Sequence, residues 1–340
     1  MSNSKPIYAS FRSIGAYIPE KILSNSDLET MVDTTDEWIT KRTGIKERRI
    51  ARDDEYTSDM GAKASAQAIE RAGLQRGDID LVICATVTPD YFNMPSTACV
   101  ISDKLGISNV QAFDISAACS GFVYLISIAK AFIESGMKKN ILIVGAEKFS
   151  SIVDYTDRGT CILFGDGAGA SVISATTNKD EAIVDVHASA DGSYSDFLVT
   201  PAPGAIHPVS QKVIDEGLNF VQMKGNETFK LAVKTLTKDV KDILAKNDML
   251  ADDIPHFIPH QANYRIIKAV GDALKMREEQ VVLTVGKYGN TSAASIPMAV
   301  NDIYESGRLK KGEMMLFDTF GGGLTWASAL LPFAGESYRG

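Results

Sequence analysis

Residues 68–87, AIERAGLQRGDIDLVICATV, repeat the pattern of residues 243–262, ILAKNDMLADDIPHFIPHQA: the end of a helix, a turn with an Asp-Ile pair, and a short apolar strand. Helix-like and strand-like patterns alternate along the whole chain, which predicts an α/β fold. Two further pairs of segments repeat in the same order, 131–147 with 302–318 and 162–174 with 318–331. Three ordered matches predict a duplicated α/β unit, with one half at 1–175 and the other at 176–340.

The spacing of the repeats indicates where the two halves differ. The tripeptide Glu-Ser-Gly at 134–136 matches the one at 305–307 with an offset of 171, whereas the later glycine-rich turns match with an offset of 156. The first half therefore has about 15 extra residues, in the segment that contains Arg158. Because the offset of 171 pairs Cys119 with Asn290, we expect these two residues at equivalent strand-to-helix corners that meet at the centre of the molecule.

Composition and charge exclude several classes of protein. The chain has 340 residues, 45% of them hydrophobic, and a net charge of −8, which is typical of a globular protein and does not favour nucleic acid as a partner. No apolar segment reaches the roughly 18 residues of a membrane span, and the N-terminus lacks a signal-peptide pattern. The four cysteines have no C-x-x-C spacing, which indicates reduced thiols in the cytoplasm.

The candidate nucleophile is Cys119, which follows the apolar residues 110–115 and precedes a long apolar helix pattern. The small residues around it, SAACSG at 116–121, allow two interpretations. A free cysteine is often a small, buried hydrophobic residue. A cysteine at a helix N-terminus can instead be a nucleophile, because free N–H groups and the helix dipole favour the thiolate.

Two residues of the second half complete a possible catalytic set. His260 follows a predicted strand at 253–259 and precedes a helix pattern from Gln261, at a sheet edge where ligands bind. A metal site shared with His256 is excluded, because the two histidines lie about 13 Å apart in an extended chain. Asn290 lies in a Gly-Asn-Thr-Ser corner, which could be an ordinary capped turn. Together with a thiolate, a neutral imidazole and a carboxamide N–H group suit acyl transfer, because both donate hydrogen bonds to an oxyanion.

The chain resembles the β-ketoacyl-acyl-carrier-protein (ACP) synthase III family, condensing enzymes with the thiolase fold. The resemblance runs over nearly the full length and rests on DTTDEWITKRTGIKERRI at 33–50, AACSGF at 117–122, DRGTCILFGDGAGA at 157–170, PHQANYRI at 259–266, GNTSAASIP at 289–297 and FGGGLTWASALL at 320–331. It implies a five-layered αβαβα fold with pseudo-twofold symmetry. It also implies that Cys119 accepts an acyl group from acetyl-CoA. Malonyl-ACP then loses CO₂ and attacks the acyl-enzyme, which initiates type II fatty acid synthesis.

The resemblance also implies a role for further residues. The oxyanion hole is formed by the N–H groups of Cys119 and Gly322. The CoA-binding residues are Trp38, Arg42, Thr43, Arg158 and Asn263; the ACP-binding residues are Gln261, Lys230, Arg265 and Lys268; and the acyl pocket has Met94, Phe164 and Phe320. Trp38 and Arg158 would enclose the adenine between them. The implied enzyme is a cytoplasmic homodimer in which the partner's residue at the position of Met94 closes the acyl pocket. It uses the CoA thioester as substrate, with no metal and no further cofactor.

Three other functions are compatible with parts of the sequence. A cysteine hydrolase of the α/β-hydrolase type would give no role to Asn290 or to the duplication. An inactive scaffold for acyl carriers is disfavoured by the intact Cys-His-Asn set, whereas a starter-unit synthase of a secondary-metabolite pathway would share that set. Asp272-Ala273 stands where many family members have a basic pair, so Arg265 is the principal positive charge expected to contact a carrier on this helix. The glycine-rich segment 165–170 precedes a strand and so does not predict a dinucleotide site.

Overall fold

A computed structural model describes residues 6–338 of the chain. The strands are β1 Tyr8–Phe11, β2 Gly15–Tyr17, β3 Lys21–Ser24, β4 Glu47–Ile50, β5 Leu81–Ala85, β6 Gln111–Ile115, β7 Asn140–Glu147, β8 Gly167–Thr176, β9 Asp185–Ala190, β10 Leu198–Val199, β11 Gln222–Met223, β12 His256–Pro259, β13 Met314–Gly321 and β14 Thr325–Pro332. The helices are α1 Asn25–Leu28, α2 Asp36–Thr43, α3 Thr57–Arg71, α4 Thr97–Leu105, α5 Gly121–Glu134, α6 Gln211–Asp215, α7 Gly225–Lys246, α8 Tyr264–Leu274, α9 Val285–Tyr288 and α10 Ser295–Glu305. Among the helices of this range, none combines the length and the hydropathy of a membrane-spanning segment.

The two main sheets have the same strand order. The first runs β1-β8-β7-β5-β6, and the second runs β9-β14-β13-β12, with a parallel bridge from Phe257 to Val281 at the position of a fifth strand. Strand directions also agree: β5 and β12 each pair in parallel with β7 and β13, which in turn pair antiparallel with β8 and β14. This correspondence confirms the predicted duplication of an α/β unit.

Helices form three layers around these two sheets. Helices α3 and α4 pack on the outer face of the first sheet, and α7 and α8 pack on the outer face of the second. Helices α5 and α10 lie between the sheets, in a core to which both halves contribute. Phe122, Leu125 and Ile126 of α5 are completely buried, and each such side chain contributes roughly 1.5–3 kcal/mol of hydrophobic free energy. The apolar pattern around α5 therefore follows from its place in the central layer, and the five-layered αβαβα fold is confirmed.

The corners that precede α5 and α10 correct one sequence-based expectation. Each corner is a short 3₁₀ turn whose first residue has a left-handed backbone, with φ of +45° at Ala118 and +49° at Ser292. The offset between these equivalent residues is 174, not 171, because α10 has 11 residues and α5 has 14. The positional counterpart of Cys119 is therefore Ala293, and Asn290 lies one turn earlier in the chain. The two corners nevertheless pack together, as expected.

The extra segment of the first half is held by a buried arginine. Residues 148–166 connect β7 to β8, whereas only residues 322–324 connect β13 to β14. The guanidinium of Arg48 is completely buried and donates to the Ile162 carbonyl at 2.7 Å and to the Asn25 side chain at 3.0 Å. This clamp fixes the long connection against β4 and α1, and so sets the position of one wall of the site.

Candidate active site

Cys119, His260 and Asn290 line one cavity of about 110 Å³. They come from three separate elements: the 3₁₀ turn before α5, the end of β12, and the corner before α10. Their exposed fractions are 5%, 6% and 6%, so each reaches only the cavity and hardly any bulk solvent. The structure thus brings together the three predicted catalytic residues in a space that excludes most water.

Burial controls the ionisation of Cys119. It raises the pKa of the thiol to about 12, although a contact with the Ser292 hydroxyl lowers it. The position before α5 agrees with the sequence-based prediction, and at this buried position loss of solvation opposes the effect of the helix end. The backbone of Gly321 packs closely against that of Cys119, because a Cβ atom at position 321 would lie only 2.7 Å from the Cys119 nitrogen.

His260 is held as a neutral imidazole. Its amide donates to the Asp318 carbonyl at 2.7 Å, which aligns the end of β12 with β13. Burial lowers the pKa of the ring to about 3, as expected for a hydrogen-bond donor that carries no charge. Nδ1 lies 2.6 Å from Oγ of Ser295, and the amide of Gln261 donates to the same Oγ at 3.4 Å. The Ser295 hydroxyl has a proton that it can donate to Nδ1 of the neutral ring, and we assign this direction, which leaves the ring proton on Nε2.

Asn290 is fixed by both halves of the chain. Its amide donates to the Leu163 carbonyl at 2.8 Å, and its carbonyl accepts from Gly165 at 3.0 Å. The side-chain oxygen accepts from the Ser292 amide at 2.9 Å. Since the oxygen is occupied, the NH₂ group is the part of the carboxamide that is available to the cavity. The long connection of the first half therefore positions a donor that belongs to the second.

Cys119 also lines a second chamber, of about 350 Å³. Gly322, the predicted oxyanion donor, lies on this chamber beside the thiol. Its apolar walls include Phe149, Ile152, Leu198 and Val221, none of which the sequence singled out. The predicted acyl-pocket residues Phe164 and Phe320 line the chamber that Cys119 shares with His260 and Asn290, and their contact with an acyl group stays a prediction. The side chain of Met94 is 80% exposed and lines neither chamber within a single described chain.

Comparison with known proteins identifies the family. Two family models match the chain: "3-Oxoacyl-[acyl-carrier-protein (ACP)] synthase III" over residues 113–192 and "3-Oxoacyl-[acyl-carrier-protein (ACP)] synthase III C terminal" over residues 244–333. A β-ketoacyl-ACP synthase III from a Sulfurovum species is 85% identical over 100% of both chains. The chain belongs to the β-ketoacyl-ACP synthase III family. A second synthase III, from Sulfurimonas denitrificans, is 70% identical over 96% of this chain and 98% of its own.

Solved structures of synthase III agree with this fold. The enzyme from Aquifex aeolicus has 43% identity and a TM-score of 0.88, and the match covers 96% of this chain and 100% of the other. A priming β-ketosynthase of a polyketide biosynthetic pathway has 32% identity and a TM-score of 0.90, with coverage of 98% and 99%. The protein is thus an enzyme of the condensing acyltransferase type, as predicted.

The residues predicted to bind CoA in this synthase III lie around α2. The side chain of Thr35 caps the helix, and Gly44 ends it with φ of +77°. The guanidinium of Arg158 lies 4.9 Å from the ring centre of Trp38, and that of Arg42 lies 5.3 Å from it. Because Arg158 stacks directly on Trp38, an adenine can enter between them only if the guanidinium moves aside.

Two other predicted CoA residues have structural contacts. Asn263 lines the His260 chamber, caps α8 by accepting from the Arg265 amide, and donates to the Arg42 carbonyl at 3.3 Å. It therefore joins the chamber to α2. Thr43 is buried, and its hydroxyl donates to the Ile39 carbonyl while accepting from Ile45. Thr43 is the last residue of α2, and its contact with CoA stays a prediction.

The helix after His260 begins at Tyr264, three residues later than the pattern suggested.

The predicted carrier-binding residues of this synthase III separate into three groups. Arg265 and Lys230 are exposed on the adjacent helices α8 and α7, with the Arg265 guanidinium 5.1 Å from the ring centre of Phe229. Lys268 pairs with Asp272 at 3.0 Å, which offsets its charge. Gln261 is only 1% exposed, and its amide bonds to four backbone groups. The assignment of Gln261 to carrier binding is wrong, because it holds the backbone below the site.

Sequence reasoning missed three polar residues near the reacting groups. Ser295 contacts His260, Ser292 lies beside Cys119, and Glu147 is buried at the end of β7. The signal for Glu147 was available: an acidic residue directly follows the apolar strand pattern, at the sheet edge where ligands bind. The serines gave no such signal, because a small-residue helix start commonly contains serine.

Proposed function

We propose that this chain condenses an acetyl group from acetyl-CoA with malonyl-ACP, through an acyl-Cys119 intermediate, to give acetoacetyl-ACP and initiate fatty acid synthesis. One observation carries the proposal: a neutral imidazole and a free carboxamide NH₂ face the same dry cavity as a cysteine thiol. This arrangement suits an enolate, because two donors can stabilise its oxygen while neither protonates it.

The acyl-transfer step forms a bond between the Cys119 sulfur and the acetyl carbonyl carbon. The carbon–sulfur bond to CoA then breaks, and the thiol proton of Cys119 ends on the CoA sulfur. The amide N–H groups of Cys119 and Gly322 are placed to donate to the tetrahedral oxyanion, since Gly322 lies on the same chamber wall as the thiol. This step uses neither His260 nor Asn290.

The condensation step takes place in the chamber of His260 and Asn290. Loss of CO₂ from the malonyl thioester leaves an enolate, whose oxygen accepts from Nε2 of His260 and Nδ2 of Asn290. Its carbon then attacks the acetyl carbonyl on Cys119, the carbon–sulfur bond breaks, and the departing thiolate takes up one proton from solvent, which restores the thiol for the next cycle. The aromatic wall, Phe164 and Phe320, keeps water away from the malonyl carboxylate and so favours loss of its charge as CO₂.

The apolar second chamber is suited to the methyl end of the acyl group. Its walls at Phe149, Leu198 and Val221 are uncharged, so an apolar methyl end can lie against them. Tyr91, Phe92 and Met94 are exposed hydrophobic residues on one loop, which supports a homodimer interface at this position. In that dimer, the partner's copy of this loop would close the chamber.

The substrates reach the site from the side of α2 and α8. Trp38, Arg42 and Arg158 offer a ring and two cations for the adenine and phosphates of CoA. Arg265 and Lys230 offer an exposed basic surface for an acidic carrier protein. The proposed reaction requires no metal or redox cofactor, and we place it in the cytoplasm, in keeping with four free thiols.

A starter-unit synthase of a secondary-metabolite pathway is the second candidate, because the polyketide priming enzyme shares the fold at 32% identity. The fatty acid role has more support, since full-length relatives reach 85% identity. A cysteine hydrolase has the least, because Nδ1 of His260 contacts a serine hydroxyl and not the carboxylate of a hydrolytic triad.

Intact-protein mass spectrometry tests the proposal. Acetyl-CoA should add one acetyl group to the wild-type chain but not to Cys119→Ala, and only malonyl-ACP should then remove it rapidly. Rapid discharge by water would support a hydrolase. No adduct at all would support an inactive scaffold and overturn the proposal.

A further inference from the structure

Glu147 is a buried acid that the proposed mechanism leaves without a role. It ends β7, is 0% exposed, and accepts hydrogen bonds from the Thr88 hydroxyl at 2.5 Å and the Val87 amide at 3.1 Å. The Thr86 hydroxyl donates at 3.2 Å. In residues 6–338 no lysine, arginine or histidine forms an ion pair with this carboxyl group. Burial of a carboxylate without a counter-charge costs free energy of desolvation. The presence of Glu147 near the catalytic thiol therefore requires an explanation.

Ser292 begins a turn that packs against both β7, which ends at Glu147, and the turn that carries the nucleophile. It lines the same chamber as Cys119, and its backbone is held in the left-handed region while its amide donates to Asn290. The Ser292 hydroxyl is close enough to lower the pKa of both the Cys119 thiol and the Glu147 carboxyl. It is completely shielded from solvent and, within the described residues, has no hydrogen bond of normal geometry. A hydroxyl can accept from one neighbour and donate to the other.

The ionisation of Glu147 suits proton transfer at neutral pH. Burial raises the pKa of its carboxyl to about 7, and the donors at Thr88 and Val87 limit this rise. The titratable groups that face it are the thiols of Cys119 and Cys84, whose pKa values are raised by burial and by the charge of Glu147. A base with a pKa near the working pH is effective in proton transfer. His260 cannot take this role, because the pKa of its ring is about 3.

We propose that Glu147, acting through the Ser292 hydroxyl, accepts the thiol proton of Cys119 during acyl transfer. The inference rests on the proposed acylation of Cys119. As the sulfur–carbon bond forms, the S–H bond breaks, Ser292 takes that proton, and its own proton passes to Glu147. When the bond to the leaving sulfur of CoA breaks, the proton returns by the same route and yields free CoA thiol. The carboxylate is regenerated, and no other reactant is consumed.

Single-turnover acetylation of Cys119 by acetyl-CoA, followed by rapid quench and intact-protein mass spectrometry across pH, tests this inference. The wild-type rate should rise with pH through an inflection near 7, where Glu147 ionises. Glu147→Gln and Ser292→Ala should acetylate about 10²-fold more slowly at neutral pH, which is the lower end of general-base effects. Their rates should show no such inflection and should rise only at high pH, where the thiol itself ionises.

Two further variants separate proton transfer from a structural effect. Thr88→Val removes a donor that stabilises the charged carboxylate, so the inflection should move to higher pH. Asp166→Asn is the matched control: this acid is also completely buried in the first half, but it bonds to Ser150 and Ala51 and lines neither chamber. Its pH profile should keep the wild-type inflection.

The outcomes distinguish this inference from the proposed function. If the wild-type chain forms no acetyl adduct, the proposed function itself fails. If the adduct forms and Glu147→Gln keeps both the wild-type rate and the inflection, the proton-transfer role is overturned. Should circular dichroism show that Glu147→Gln is unfolded, Ser292→Ala and Thr88→Val decide the question by the same profile.

Discussion

Oγ of Ser295 lies 2.6 Å from Nδ1 of His260, so the first residue of α10 contacts the ring at the end of β12, and a proton donated by this hydroxyl holds the ring proton on Nε2. Without that contact, the ring can place its proton on Nδ1, which leaves Nε2 as an acceptor facing the substrate. An acceptor would repel an enolate oxygen. The serine is therefore a positioning residue that acts through His260.

Ser295→Ala should slow condensation by about 10²-fold, close to the loss of one oxyanion donor. Acetylation of Cys119 by acetyl-CoA should be unchanged, and Ser295→Thr should restore most of the activity. Nitrogen NMR of the histidine ring reports the tautomer directly. A ring that keeps its proton on Nε2 in Ser295→Ala would refute this role.

The two half-reactions should separate by mutation. Asn290→Ala and His260→Ala each remove a donor that serves the enolate, so condensation should fall by about 10²–10³-fold. Acetylation should remain measurable in both variants, and Cys119→Ala should lose it completely. The readouts are the acetyl adduct and the release of acetoacetyl-ACP. Normal condensation by Asn290→Ala would contradict the proposed use of its NH₂ group.

Carrier binding should depend on a local positive charge. Arg265→Glu should raise the KM for malonyl-ACP far more than that for acetyl-CoA, and the difference should shrink in high salt. Trp38→Ala should do the opposite, because its ring belongs to the CoA end. Lys179→Glu, an exposed charge reversal in the turn after β8, is the control. Equal effects of Arg265→Glu on both substrates would remove the docking proposal.

Met94 tests the proposed dimer and the choice of primer together. In the proposed dimer the partner's loop closes the second chamber, and a flexible methionine on it can move aside for a longer chain, whereas a ring cannot. Met94→Phe should therefore shift the preference towards acetyl-CoA, and Met94→Ala towards butyryl-CoA, by about 1–3 kcal/mol per methylene. Steady-state kinetics with a series of acyl-CoAs provides the measurement. If both variants keep the wild-type profile and sediment as dimers, Met94 does not limit the chamber.

Pattern and order in the sequence were enough to predict the duplicated fold, because buried strands and helix ends repeat with similar spacing. They also located Cys119, His260 and Asn290, which the structure places around one cavity. The pairing of Cys119 with Asn290 was wrong for a physical reason. The repeat was aligned on the C-terminal ends of α5 and α10, and the difference of three residues in helix length lies at their N-terminal ends.

Properties that depend on the surroundings of a side chain could not be predicted. Gln261 follows the catalytic histidine in a polar motif, but its amide is used by four backbone groups under the site. The raised pKa of Cys119 depends on residues from both halves that close over it. The place of Glu147 at a strand end was visible in the sequence, but its packing against the corner of the second half was not, because that contact depends on how the two halves associate.

The central layer also says something about how such a chain could arise. Helix α5 is apolar on all sides because α10 and the second sheet cover the surface that its own sheet leaves open. An ancestor of about half this length would have exposed that surface to water, and a second copy is the simplest partner to cover it. The present chain is then such a pair joined into one polypeptide. Within one polypeptide the two halves carry different parts of the site: the first has the thiol and the long connection held by Arg48, and the second has the imidazole and the amide.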